Sequence, residues 1–256
     1  MEIHIECAEG SSDSAGEILR KHGFVVLRQV LDTGTVASAR REVVSAFAEL
    51  DDRRDRLGDD DRRLLNRLEM PVPREEPRFR LRVENFRVLD SDPLRRVIYD
   101  FSGGDFFWHF PPMIRRQVRG VPGAALPYHQ DFAYTCHYSR FLVCWTPLTA
   151  CGVDAPGLEL VSDAHHHELK HGRASLWEYG VDGCTAKALS ERGIGLELSP
   201  GDVVLFTSLT PHRTYVTEEM TKPRLAIDFR AVARKEVGAG VRQERRFVDP
   251  LHFRLI

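Results

Sequence analysis

Residues able to do chemistry gather first in the stretch Leu126-Pro-Tyr-His-Gln-Asp-Phe-Ala-Tyr134. Its apolar and aromatic residues (Leu126, Tyr128, Phe132, Tyr134) make it read as a short strand or strand end. Side chains at i and i+2 of a strand share a face, so His129 and Asp131 aim an imidazole and a carboxylate at one spot. A third ligand is on offer at His212, in Leu205-Phe-Thr-Ser-Leu-Thr-Pro-His212. Two imidazoles and one carboxylate on one face of an ion, with the opposite positions open, suit non-haem Fe(II) and its oxygen chemistry. A His-x-Asp tripeptide is short enough to arise by chance, and a single strand histidine more often serves the core or the surface. The weight therefore rests on the surroundings.

The elements that must position these residues fall into two groups. In the front third, residues 13–22 read as a helix closed by Gly23. Phe24-Val-Val-Leu27 reads as a short strand. A second helix, capped by Asp32 or Thr33 and running to about Leu50, places Val36, Ala39, Val43, Phe47 and Leu50 on one face. The mixed-charge run from Asp51 to Arg63 reads as a solvated loop or helix end. Met70 to Pro77 is irregular because of its prolines, and Arg78 to Glu84 alternates like a half-buried strand. Asp92 as N-cap and Pro93 at the first helical position open a third helix with a stripe of Leu94, Val97, Ile98 and Phe101, ended by Gly103-Gly104. From Phe106 onward the pattern changes to strands: 106–110, 113–119, 128–134, 140–147, 157–161, 194–198, 203–207, 212–216 and 224–232. Many short strands punctuated by turn residues indicate a sandwich or barrel.

A length of 256 residues suits one domain. The expected division is a helical front over 13–105, a β core over 106–233 and a tail over 234–256. A formal net charge of −2 leaves no basic footprint for nucleic acid. The first residues show no signal-peptide pattern, and no apolar run is of membrane-spanning length. The five cysteines are odd in number and form no Cys-x-x-Cys, which argues against a disulfide framework or a thiolate zinc site. The expected setting is reducing and cytoplasmic, with a small-molecule substrate, no nucleic acid and no membrane partner.

Several motifs in order carry a resemblance. His129-Gln-Asp131 is followed by Trp145-Thr-Pro-Leu148, Gly157-Leu-Glu-Leu-Val161, Pro200-Gly-Asp-Val-Val-Leu-Phe206, His212 and Arg224, and preceded by Lys21-His-Gly-Phe-Val-Val-Leu27. Together they make residues 16–233 resemble the phytanoyl-CoA dioxygenase-like (PhyH) family of Fe(II)- and 2-oxoglutarate-dependent oxygenases. The resemblance implies a mainly β fold with flanking helices, a double-stranded β-helix (a cupin-like jelly roll). It implies that His129, Asp131 and His212 hold Fe(II). Arg224 would pair with the distal carboxylate of 2-oxoglutarate, with Arg230 as its competitor on the same strand face. The planar guanidinium fork suits that task. Thr214 would help hold the co-substrate, and Trp145 would line its pocket or serve as a plain core aromatic. The implied reaction uses O₂, releases succinate and CO₂, and hydroxylates an unactivated carbon of a small organic acid, amino-acid derivative or secondary-metabolite intermediate. Asp131 argues against a halogenase, where relatives carry a small residue.

Other readings stay open beside this one. The same cofactors serve desaturation, epimerisation and cyclisation, and a jelly roll can bind a metal and a small molecule without catalysis. Arg115 and Arg119 share one strand face and Arg116 takes the other. Arg116, Arg119 and Tyr134 are candidate substrate contacts, with Tyr138, Trp108 and Phe79 as further pocket walls. The histidines at 165, 166, 167 and 171 read as a loop cluster rather than a second metal site.

Overall fold

The computed structural model describes residues 6–7, 12–54, 83–110, 112–119, 125–134, 140–172, 180–237 and 247–254. The Met70–Pro77 segment and most of the alternating 78–84 stretch lie outside them. Within them, residue 83 opens a 3-10 turn, Val83–Leu89, and not a strand end.

The front third follows its sequence signals closely. Helix α1 (Ser12–His22) stops at Gly23, whose φ of 83° is left-handed and whose N–H reaches Leu19 O at 2.9 Å. Strand β2 (Phe24–Leu27) follows, fully buried, with a two-residue strand β1 (Glu6–Cys7) parallel to it. Asp32 caps helix α2 (Thr33–Arg54), its carboxylate accepting the Thr35 N–H at 2.7 Å. Val36, Ala39, Val43 and Phe47 of α2 are all buried. Full burial of such a Val or Phe stabilises by about 1.5–3 kcal/mol. Helix α3 (Asp92–Ser102) is capped by Ser91, not by Asp92: the Ser91 backbone is extended, and its hydroxyl accepts from Leu94 N at 3.4 Å. Asp92 is already the first helical residue, and Pro93 follows where no amide donor is needed.

The β strands are β3 (Phe106–His109), β4 (Met113–Gln117), β5 (Leu142–Pro147), β6 (Gly157–Val161), β7 (Gly193–Leu196), β8 (Val203–Thr207), β9 (His212–Tyr215), β10 (Arg224–Ala233) and β11 (Phe247–Val248). A short helix, α4 (Gly183–Ser190), precedes β7. Among the described residues these strands form an eight-stranded sheet and a three-stranded one. The larger runs β1-β2-β8-β5-β10-β3-β11, with β4 also pairing β10; the smaller runs β7-β6-β9. The two faces of the larger sheet bury different sets. Leu142, Cys144, Leu205, Ile227 and Phe229 pack under α1, α2 and α3. Val143, Trp145, Val204, Phe206 and Ala226 face the smaller sheet, against Leu158, Leu160 and Leu196. Covered on both sides, β5 and β8 read as near-continuous apolar runs. The region expected to be a helical front thus contributes β2 to the main sheet, and the region expected to be a tail returns β11 to its edge.

One buried carboxylate ties the front to the core. Asp202, 2 % exposed, accepts from Ser199 N at 2.9 Å, Gln29 N at 3.0 Å, the Gln29 amide at 2.9 Å and Arg28 at 2.9 Å. Burial pushes its pKa up, but these donors outweigh burial and hold it below the ordinary 3.8. A depressed folded pKa stabilises above the unfolded pKa and is lost as pH falls through the folded value. Asp202→Ala is therefore expected to cost on the order of 3 kcal/mol in urea unfolding at neutral pH. The deficit relative to wild type should shrink as the buffer is taken below about pH 4.

Candidate metal centre

His129 and His212 are joined backbone to backbone. Each N–H donates to the other's carbonyl at 3.0 Å, an isolated antiparallel bridge between the segment before Gln130 and the start of β9. This pairing sets the imidazoles side by side, ring centres 4.1 Å apart. The chain does not continue as the strand expected over 128–134. A 3-10 turn, Asp131–Tyr134, begins immediately, with Phe132 N donating to Ser208 O at 3.0 Å. The turn, and not strand alternation, swings the Asp131 carboxylate in front of both rings. Its Oδ1 lies 3.5 Å from His129 Nε2 and 3.8 Å from His212 Nε2.

The three ligand atoms lie within 4.8 Å of one another, and all three residues are buried. Adjacent ligands of an octahedral ion at about 2.1 Å lie about 3 Å apart, so a small contraction would close this set on a metal. Each imidazole is oriented from behind. His129 Nδ1 faces Pro127 O at 2.8 Å and His212 Nδ1 faces Thr210 O at 3.0 Å. A carbonyl only accepts, so each Nδ1 carries the proton and each Nε2 presents a lone pair. Burial, with the neighbouring His129, pushes the His212 pKa down to about 3, against a smaller opposing pull from Asp131. Burial alone would raise the Asp131 pKa; the His129 ring against the carboxylate, with His212 and Arg230 behind it, pulls the other way and holds it well below the usual carboxylate range. A neutral His212 and an ionised Asp131 are protonation states that suit a divalent ion.

The middle residue of the motif is a fastener. Gln130 is fully buried; its amide donates to His167 O at 2.8 Å and Leu209 O at 2.6 Å and accepts from Leu169 N at 2.7 Å. Its backbone N–H donates to His171 Nε2 at 2.9 Å. The loop histidines are thus engaged elsewhere: His171 on this amide, and His165 on Arg20 O at 3.1 Å. Beside the motif, Tyr128 donates to the buried Glu159, which Arg213 also holds at 2.8 Å while lying 4.7 Å above the Tyr128 ring.

His129 and His212 open onto a narrow cavity also lined by Arg115, Leu126, Trp145, Leu158, Phe206, Arg213, Thr214, Arg224 and Asp228. Arg224 is 2 % exposed, donates to Gly157 O at 2.9 Å and sits 5.3 Å from the Trp145 ring. Its Nε is buried without a partner among the described residues. Burial pushes its pKa down to about 10, which leaves it charged at neutral pH. Thr214 accepts from Leu126 N at 3.0 Å. Arg230 lies over Phe141, 5.3 Å from its ring, and does not line the cavity.

The arginines of β4 fall otherwise than expected. Arg116 points to the helical side, where it grips Asp51 of α2 at 2.6 and 2.7 Å and lies 4.4 Å above Phe47. Arg119 is exposed past the strand end. Strand parity gives the cavity Arg115 in place of Arg116. Asp228, two alternations along β10 from Arg224, was legible by the same parity. Trp108 is buried on the helical side of the sheet and is no pocket wall. Tyr138, Phe79 and the Tyr134 side chain lie outside the described residues.

The phytanoyl-CoA dioxygenase (PhyH) family profile matches residues 19–217. The chain belongs to the phytanoyl-CoA dioxygenase family. It is accordingly a non-haem iron, 2-oxoglutarate-dependent oxygenase, with Fe(II), 2-oxoglutarate and O₂ as its cofactors. Comparison with curated proteins found no match. Solved structures share the jelly-roll fold. EctD from S. alaskensis, solved with 2-oxoglutarate and 5-hydroxyectoine, is 16 % identical with a TM-score of 0.63, over 91 % of this chain and 81 % of that one. EvdO2 from Micromonospora carbonacea var. aurantiaca, complexed with 2-oxoglutarate, is 20 % identical with a TM-score of 0.57, over 85 % and 89 %. The epimerase SnoN, in complex with Fe³⁺, alpha-ketoglutarate and nogalamycin RO, is 19 % identical with a TM-score of 0.51, over 87 % and 83 %.

Removing the carboxylate from the cluster leaves two imidazoles and a net charge unsuited to a dication. Asp131→Ala is expected to weaken Co(II) or Ni(II) binding by about 100-fold or more, read by titration calorimetry. Unchanged affinity would show that the metal binds elsewhere.

Proposed function

We propose that this oxygenase holds Fe(II) on His129, Asp131 and His212 and seats 2-oxoglutarate between that ion and Arg224, to hydroxylate a small organic substrate. The observation that carries the reading is the cavity itself. It joins a cluster of three possible metal ligands to a buried, charged arginine whose Nε has no partner among the described residues. A buried guanidinium left short of acceptors is costly unless an anion completes it. The distal carboxylate of 2-oxoglutarate is such an anion. Trp145 supplies the flat wall beneath Arg224, and Thr214, two residues after His212, presents its hydroxyl to the same space. Leu126, Leu158 and Phe206 close the cavity with apolar surface and keep water from the reacting centre. With its co-substrates the bound iron supplies the oxidising power, converting 2-oxoglutarate and O₂ to succinate and CO₂ as substrate carbon is oxidised.

The protein's own part is placement. The paired histidines fix one face of the ion, Asp131 closes that face, and Arg224 fixes the far end of the co-substrate. Hydroxylation is the simplest outcome. That one fold also serves an epimerase, SnoN, marks the alternative, in which the same cofactors act on a substrate held differently. The substrate class remains a small acid or secondary-metabolite intermediate, with Arg119 and Tyr134 kept as candidate contacts and Arg116 withdrawn. We keep a reducing, cytoplasmic setting; Cys144, Cys151 and Cys184 are free thiols, which supports it. No helix among the described residues is long and apolar enough to cross a membrane.

The test is substrate-stimulated succinate release from the Fe(II)-loaded protein over a panel of small acids and amino-acid derivatives. A true substrate is expected to raise succinate formation and to gain one oxygen atom by mass spectrometry. A product that loses two hydrogens or keeps its mass would replace hydroxylation by desaturation or epimerisation. Arg224→Ala should raise the 2-oxoglutarate concentration needed by on the order of 100-fold, the roughly 3 kcal/mol of a buried charge-assisted pair.

A further inference from the structure

Arg115 and Asp228 form a charged pair in the same cavity, and nothing above uses it. In the sheet register Arg115 of β4 stands opposite Ala226 of β10. Cross-strand partners point to the same side, so the Arg115 side chain emerges between Arg224 and Asp228. Its Nε donates to Asp228 Oδ2 at 2.6 Å, with side chains only 13 % and 7 % exposed. The other oxygen, Asp228 Oδ1, is buried with no partner among the described residues.

A buried ion pair contributes little net stability compared with apolar packing, so such a pair in a cavity wall needs another reason to be there. The ligand this cavity is read to take carries two carboxylates. One belongs to Arg224. The other adjoins the keto group, the end that would meet the ion. Resting on the co-substrate reading above, we infer that Arg115, held by Asp228, is the second cation for 2-oxoglutarate and takes the carboxylate next to the keto group. Asp228 is then a positioning residue. By gripping Nε, the stem side of the guanidinium, it fixes the plane in which the far amino groups meet the acid. It also cancels one positive charge, so two arginines can share a dry cavity before the dianion arrives.

The experiment separates the two ends of the ligand. Protein loaded with Co(II), which is redox-silent here, is titrated with 2-oxoglutarate and with 2-oxobutyrate, and binding is followed by the visible cobalt bands. 2-Oxobutyrate keeps the keto acid and lacks the distal carboxylate. Arg115→Gln is expected to weaken both ligands tenfold or more, whereas Arg224→Gln weakens only 2-oxoglutarate. The double variant Arg115→Gln/Asp228→Asn leaves no uncompensated buried charge and should fold where the single one falters; it is expected to show the same loss for both ligands. Cobalt affinity should stay at the wild-type value throughout. Unchanged affinity for both ligands in the double variant would overturn the inference and hand Arg115 to the substrate. A loss confined to 2-oxoglutarate would overturn it too, by moving Arg115 to the distal carboxylate. Wild-type protein that binds cobalt and neither ligand would instead overturn the co-substrate reading on which this rests.

Discussion

The centre depends on one pair of hydrogen bonds, those between the backbones of His129 and His212. They join the segment before the 3-10 turn to the first residue of β9, and they do so at 3.0 Å in both directions. Two residues that exchange both bonds have side chains emerging on the same face. Both imidazoles therefore reach the cavity, while the side chains of their neighbours Tyr128 and Arg213 meet around Glu159. That cluster is packed tightly: a methyl group on Gly193 would collide with both the Glu159 carboxylate and the Tyr128 hydroxyl. A polar network so confined has little room to shift, which holds the bridge from behind.

Gln130 completes the arrangement. A residue between two ligands on a turn cannot also face the metal, and here it is buried on the far side. Its amide meets the 167–169 loop and Leu209, and its backbone N–H meets His171. Satisfied buried amides of this kind fix a segment in place, because breaking any one bond leaves a polar atom stranded. Of the loop histidines, read from the sequence as a cluster and not as a second metal site, His171 and the His167 carbonyl brace Gln130 between the two candidate ligands.

Much of this was legible in the sequence, and the reasons for the exceptions are physical. β2, β6 and β8 followed from short apolar runs bounded by turn residues, and α2 from its apolar spacing. The two-residue strands β1 and β11 carry no period to detect. Helix α4 has only Leu189 buried, so its pattern is faint; the sign was Asp182, whose carboxylate caps the N–H groups of Cys184 and Thr185, both at 3.0 Å. The candidate trio that the structure brings together was recognisable by type and order, although the strand assumed to align His129 with Asp131 is a bridge followed by a turn. Either geometry converges the same two side chains, which is why the error was harmless. Choosing among Arg115, Arg116 and Arg119 was different. Sequence alternation separates the two faces of β4 without saying which one looks inward. That depends on the tertiary partner, here Asp51 and Phe47 of α2, which claim Arg116.

The proposed function turns on whether iron at His129, Asp131 and His212 takes a chelated 2-oxo acid beside Arg224. The most direct measurement is anaerobic: Fe(II) and then 2-oxoglutarate are added to the protein, and the weak visible charge-transfer band of the chelate is recorded. The account predicts a band in the wild type that is absent in His212→Ala. Iron shown to be bound without any such band would contradict it.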